Sequence, residues 1–197
     1  MDVRRMKIAG LIGFAAVACW LVDSALELPG EPAVGSGLWY FETVVATLAL
    51  AGSGLFFATV GALIRDISQP TRIAMQVTAV GWWLLAIGGA AMLVVGSDQI
   101  GAVGLVFPIG GNLSMLAGLM AAVLFARNGG YTGWRRWAAL PFAVAEVVGG
   151  QLLSSDESSI PSQAVEIPQH LLQLFFVVAI ATGAAAKTAV SRVEAPN

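Results

Sequence analysis

The stretch Leu38–Ile64, LWYFETVVATLALAGSGLFFATVGALI, decides what kind of molecule this is. Its only ionisable side chain of the acidic or basic type is Glu42. A helix needs roughly 20 apolar residues to cross a hydrocarbon core, and this run exceeds that. A barrel strand alternates polar and apolar over about 10 residues, and this run does not alternate. In lipid each backbone N–H and C=O must be satisfied inside its own segment or in a closed barrel, so a run of this kind reads as a transmembrane helix. Its flanks differ in sign, with Glu31 before it and Arg65 after it.

Five further runs have the same character: Met6–Leu28, Ile73–Gly96, Ala102–Ala126, Trp137–Leu153 and Ile167–Ala186. The expected fold is therefore all-α, a polytopic transmembrane helix bundle, with residues 1–197 forming a single integral membrane domain. Its six spans cover about 6–28, 38–64, 73–96, 102–126, 137–153 and 167–186. Pro29, Gly30, Pro32, Gly35 and Gly37 break the chain after the first run. Pro70 follows the second, and Gly129, Gly130 and Gly133 follow the fourth, all of them turn formers. The longest connection is Ser154–Glu166, rich in serine.

Composition agrees. The chain is 57% hydrophobic and 11% charged, with mean hydropathy +0.81, where a soluble domain carries about 25% charged residues. There is no basic stripe or zinc-finger spacing, so nucleic acid is not an expected partner. Cys19 is the only cysteine, which excludes an intrachain disulfide or a CxxC pair. Gly110-Gly111-Asn112 lacks the lysine of a phosphate loop. No cofactor is expected, and a haem held by two histidines is excluded because His170 is the only one.

Positive charges orient the bundle. Arg4, Arg5 and Lys7 precede the first span. Arg65 and Arg72 follow the second; Arg127, Arg135 and Arg136 follow the fourth; Lys187 and Arg192 follow the sixth. Six spans put all 10 Lys and Arg residues on one side, so both termini are expected in the cytoplasm, at a prokaryotic plasma membrane. The opposite loops carry only acids: Glu31, then Asp98, then Asp156, Glu157 and Glu166. The N-terminal charges and apolar run resemble a signal peptide, with Ala16-Val17-Ala18-Cys19 as a weak cleavage site. The run continues through Trp20, Leu21 and Val22, so retention as the first span is expected.

Ionisable groups inside a bilayer cost about 2.5–3.5 kcal/mol each at a helix centre, so each needs a reason. Four fall inside the runs: Asp23, Glu42, Glu146 and His170. With the orientation above, all four lie in the outer half or near the midplane. Helical spacing adds Cys19, Trp20 and Glu27 to the face of Asp23, Trp39 to that of Glu42, and Gln173 and Glu166 to that of His170. Gly149 and Gly150 follow Glu146 and allow close approach; Gln151 lies further along, and Asn112 sits at comparable depth.

The bland account is that the shallow acids are hydrated at the interface or pair with His170. Glu146, in mid-helix, is too short to reach water and points to a cavity. The leading functional reading is an acidic and aromatic outer-half pocket that binds or transports a small apolar or cationic ligand. Its residues would be Trp20, Trp39, Asn112, Gln151, His170 and Gln173 with the carboxylates. A second reading is an intramembrane enzyme in which a buried carboxylic acid, Glu146, protonates an isoprenoid, with Glu42 or Asp23 relaying the proton. Small membrane-bound terpene cyclases use that general plan, and the likeness is one of chemistry only. A metal-dependent variant would gather His170, Asp23, Glu42 and Glu146, a poor zinc set. A third is a non-catalytic subunit packing against a partner membrane protein or forming an oligomer through small-residue faces such as Ala58/Ala62 and Ala117/Ala121.

Overall fold

The computed structural model describes residues 3–63, 67–95, 104–128, 131, 133–153 and 161–193, with the side chains of the last helix described as far as Thr182. Among these are six α-helices and no strand. They are α1 (Val3–Glu27), α2 (Gly37–Leu63), α3 (Gln69–Val95), α4 (Val106–Asn128), α5 (Ala139–Leu153) and α6 (Ser162–Val193), with a 3-10 turn at Gly133–Trp137. All but α5 are long and apolar enough to cross a membrane.

Local chemistry sets the helix starts. Ser36 Oγ accepts a hydrogen bond from the Trp39 N–H at 3.1 Å and so caps α2. Ser68 Oγ does the same for the Thr71 N–H at the head of α3, at 3.4 Å. Each satisfies an N–H that has no partner within its helix. Pro70, Pro108 and Pro141 sit in the first turns of α3, α4 and α5, where a missing N–H costs nothing. Pro168 is the exception, inside α6; it deprives the Ala164 carbonyl of its helical donor. Gly30 and Gly35, at φ 120° and 80°, turn the chain between α1 and α2, in a region closed to most side chains.

The helices form a ring in chain order, each packed on the next, with α6 closing against α1. Close approaches at glycines, with two hydrogen bonds, show four of the neighbouring pairs to be antiparallel. Gly13 meets Phe56 while Gly52 meets Ala16, along α1 and α2. Gly61 meets Met75 while Gly89 meets Thr47, along α2 and α3. Gly88 meets Phe107 while Gly118 meets Thr78, along α3 and α4. Gly10 meets Ala181, and Glu27 receives hydrogen bonds from Ser162 and Gln163, along α1 and α6. Alternation brings Glu27, Glu42 and Glu166 to one end of the ring and Lys7, Arg72, Arg127, Arg135 and Arg136 to the other.

The interior toward the basic end is filled by aromatic rings. Phe56 and Phe125 each meet Phe176 edge to face, at 5.5 and 6.0 Å, and Phe57 stacks on Phe142 at 6.2 Å. These contacts tie α2, α4, α5 and α6 across the centre of the ring. Phe56, Phe125 and Phe176 are fully buried, and such pairs contribute about 0.5–1.5 kcal/mol beyond their buried area. The outside is apolar as well: Leu11, Leu48, Ile73, Ile87, Leu116 and Leu171 are all more than half exposed. A patch-free soluble protein does not present such a surface on every side; a bundle in lipid does.

Some expected boundaries shift. Gly104 and Leu105 form a turn, so α4 starts at Val106, four residues after the apolar run. The fifth helix starts at Ala139 because the preceding residues wind as a 3-10 turn. The sixth starts at Ser162, five residues before its apolar run, which moves Glu166 from a loop onto a helix. Arg65, Asp98, Asp156 and Glu157 lie outside the described residues.

Candidate functional site

One serine organises the middle of the ring. Ser53 of α2 is fully buried. Its Oγ accepts a hydrogen bond from Trp20 Nε1 of α1 at 3.2 Å and another from Gln173 Nε2 of α6 at 3.0 Å. The small residues Gly52 and Ala16 let α1 and α2 close to this distance: a Cβ at Gly52 would lie 3.0 Å from that of Ala16. Held in this way, the Trp20 indole lies flat on the His170 imidazole, with centroids 4.8 Å apart and planes 13° from parallel. The edge contact of Trp20 with Trp82 of α3, at 6.3 Å, brings in a third helix.

The fifth helix completes the ring at this level. Gln169 Nε2 donates to the Ala145 carbonyl at 2.8 Å, which sets Glu146 level with His170. Gly149 leaves room for that Gln169 amide, and Gly150 for the Met115 thioether of α4; a Cβ at Gly150 would come within 2.6 Å of the sulfur. These two glycines allow α5 to approach both neighbours closely.

A cavity of about 280 Å³ opens at this level. Its wall includes Trp20, Trp82, Glu146, Glu166, Gln169 and His170, with Leu50, Leu85, Gly111, Ser114, Met115 and Gly150 between them. Glu146, Trp82, Ser114 and Met115 also wall a second space, toward the aromatic core, bounded by Phe57, Phe142 and Phe176. That space has a volume of only about 10 Å³, enough for about one water. Glu146 therefore stands where a wide cavity narrows against a dry aromatic floor.

Further toward the acidic end, three helices contribute carboxylates. Asp23 of α1 is 5% exposed, and its Oδ1 has no hydrogen-bond partner. Asp23 interacts electrostatically with Glu27, Glu42 and Glu166. Glu27 accepts from Ser162 Oγ at 3.3 Å and from Gln163 Nε2 at 3.1 Å and interacts electrostatically with Glu42. Glu166 feels both Glu27 and Glu42, and Glu146 in turn feels Glu166. His170 is 5% exposed, and neither of its ring nitrogens has a partner. Among the described residues no three His, Cys, Asp or Glu side chains converge as metal ligands do.

The residues singled out in the sequence divide into groups. Glu146, His170 and Trp20 share one cavity wall. Asp23 and Glu42 lie beside it, in the carboxylate group of α1, α2 and α6. Gln173 is buried behind the wall and bonded to Ser53. Trp39 packs edge-on against Tyr40 at the head of α2, at 5.0 Å. Asn112 is exposed and donates to the Pro108 carbonyl of its own helix at 2.8 Å, on a separate groove with Ile109 and Leu116. Gln151 is exposed near the end of α5. Three wall or support residues are not among the expected site residues: Glu166, expected only as a neighbour of His170 at the end of a loop, Trp82 and Ser53. Pro161, directly before Ser162, is the one mark in the sequence that α6 begins early enough to include Glu166. No protein-family model, curated protein or solved structure matches the chain.

Proposed function

We propose that the chain is a six-span membrane protein, a single domain with both termini in the cytoplasm, whose outer-half cavity binds a small organic cation. The observation that carries this reading is the composition of the cavity wall. Two carboxylates, Glu146 and Glu166, face a space walled by the indoles of Trp20 and Trp82. None of the 10 Lys and Arg residues falls within residues 20–50, 82–115 or 146–170, the segments that build this end. Carboxylates supply charge and indole faces supply the quadrupole that attracts a desolvated cation. At about 280 Å³ the cavity lies just under the 300–1,000 Å³ of sites for drug-sized ligands, which favours a compact ligand.

The sixth span rests on α5. Its 15 residues reach about 22 Å at 1.5 Å each. The preceding 3-10 turn carries Arg135 and Arg136 and belongs to the interface, so α5 is shorter than a hydrocarbon core of about 30 Å, a mismatch met by local thinning of the bilayer. Trp134 and Trp137, roughly half exposed beside Arg135 and Arg136, suit an interfacial position.

Titration of the purified protein with tetramethylammonium, followed by tryptophan emission, tests the reading. Saturable quenching is expected. Glu146→Gln, which keeps the shape and removes the charge, should weaken binding about 10–100-fold, given about 1.5–3 kcal/mol for interactions with a charged group. Unchanged affinity in Glu146→Gln, or no saturable response in the wild type, would overturn the proposal.

A further inference from the structure

We propose that the carboxylate group formed by Asp23, Glu27, Glu42 and Glu166 is a proton-binding site, and that its proton is exchanged for the cation entering the cavity. The inference rests on the cation reading above and adds what the second group of acids, nearer the acidic end, does. The group is built by three helices: Asp23 and Glu27 on α1, Glu42 on α2, and Glu166 on α6. Two observations mark it as more than a hydrated rim. Asp23 is nineteen-twentieths buried with an unpartnered Oδ1, and Glu42 holds an unpartnered buried Oε2. A buried carboxyl oxygen that no donor reaches is satisfied when the group carries a proton or meets a cation.

Charge balance leads the same way. Glu146 from α5 and His170 from its own helix share the cavity wall with Glu166, which also interacts electrostatically with Asp23 and Glu27 from α1 and Glu42 from α2. Glu31 adds to the field at Glu42. No Lys or Arg belongs to these segments. Several carboxylates in a low-dielectric cluster without a counter-cation cannot all be ionised together. No three of them converge as metal ligands do among the described residues, so a proton is the cation that fits. Glu166 belongs both to this group and to the cavity wall.

The exchange is balanced. An organic cation enters beside Glu146 and Glu166, one proton leaves the carboxyl group through the acidic end, and the net charge of the site is unchanged. No bond other than O–H is broken. By linkage the effect is reciprocal: protons weaken cation binding as much as the cation expels protons. His170, unpartnered between Trp20 and the cavity, is placed to accept a proton in passing.

Two readings on the purified full-length protein test this. Tetramethylammonium affinity is measured from pH 5 to 8, and proton release is followed with a pH dye in weak buffer. Affinity is expected to rise about tenfold per pH unit where one proton leaves per cation, with close to one proton appearing in solution. In Glu42→Gln, which lies outside the cavity wall, cation binding should persist while proton release falls by at least half. In Asp23→Asn, which leaves the cavity wall intact, the pH dependence should flatten while affinity at pH 8 stays within about threefold. Binding whose affinity does not change with pH and releases no proton overturns the exchange and leaves the cation site standing. Absence of binding at every pH overturns the cation site and the exchange with it. Infrared absorption by protonated carboxyl groups at pH 7, reduced in Asp23→Asn and Glu42→Gln, supports the proton site independently; its absence from the wild type overturns it.

Discussion

Replacing Ser53 with alanine should be the most informative single-atom change in the bundle. Ser53 Oγ is the acceptor for two donors from two other helices, Trp20 Nε1 at 3.2 Å and Gln173 Nε2 at 3.0 Å. Ser53 and Gln173 are buried to within 1%, so water does not replace the lost oxygen. Interhelical hydrogen bonds in membranes average about 0.6 kcal/mol and reach about 1.7. Two of them lost together predict a destabilisation of about 1–3 kcal/mol. Thr59 of the same helix provides the control. Its hydroxyl is exposed and donates to the Leu55 carbonyl of its own helix at 2.6 Å, so Thr59→Ala should stay within about 0.5 kcal/mol. Unfolding in mixed micelles, followed by helical circular dichroism, compares the two. Adding Gln173→Leu to Ser53→Ala should recover part of the loss, because an apolar pair leaves one buried donor fewer than Ser53→Ala alone. The reasoning fails if Ser53→Ala is no more destabilising than Thr59→Ala. It also fails if the second change adds to the damage in full.

Further predictions concern topology and packing. Reporter fusions after Arg65 and Arg127 should read cytoplasmic, and fusions near Gly35, Asp98 and Ser158 external; an external reading at Arg65 or Arg127 would remove the six-span count. Gly81→Ala should destabilise by about 1–3 kcal/mol, since its Cβ would come within 2.5 Å of the Ser114 backbone nitrogen. On the same α3–α4 seam, Gly118→Ala meets Thr78 Cγ2 at an ordinary 3.6 Å and should be neutral or stabilising; equal effects in micelle unfolding would refute the backbone-contact argument. Asn112→Leu should leave tetramethylammonium affinity within about twofold, because the exposed Asn112 amide serves only the Pro108 carbonyl of its own helix; a tenfold loss would place it at the site.

The sequence made depth legible and left rotation hidden. Run lengths and the sign of the flanking charges were enough to find the helices, to pair them antiparallel and to collect Asp23, Glu42, Glu146 and His170 toward one end. Asn112 shows the limit. It lies at a depth similar to Glu146, yet it faces outward, while Ser114 two residues later faces the cavity. Helices that are apolar all round carry no amphipathic stripe from which to read a face. Ser53 was hidden for a related reason: a hydroxyl in an apolar run acquires its role only when two partners arrive from other helices. Glu166 was assigned to a loop because the polar first turn of α6 lowers the local hydropathy. A helix that starts in a cavity wall rather than in lipid has no need of apolar residues there.

The distribution of satisfied and unsatisfied polar groups separates the two halves of the bundle more sharply than hydropathy does. Toward the basic end, Gln76 Nε2 donates to the Ala58 carbonyl at 3.0 Å, Thr78 Oγ1 to the Ala74 carbonyl at 2.8 Å, and the Tyr131 hydroxyl meets Met6 Sδ at 3.9 Å. Toward the acidic end lie Asp23 Oδ1, Ser24 Oγ, Glu42 Oε2 and both nitrogens of His170, all buried and without partners among the described residues. A buried polar atom without a partner costs about 1–3 kcal/mol, and native proteins keep few of them without a reason. The aromatic floor at the basic end offers the packing that tolerates this cost: Phe56, Phe125 and Phe176 hold α2, α4 and α6 together independently of any polar group. The acidic half is therefore free to keep polar groups unpaired, and its two unpartnered carboxyl oxygens, on Asp23 and Glu42, are acceptors that a donor or a cation would satisfy.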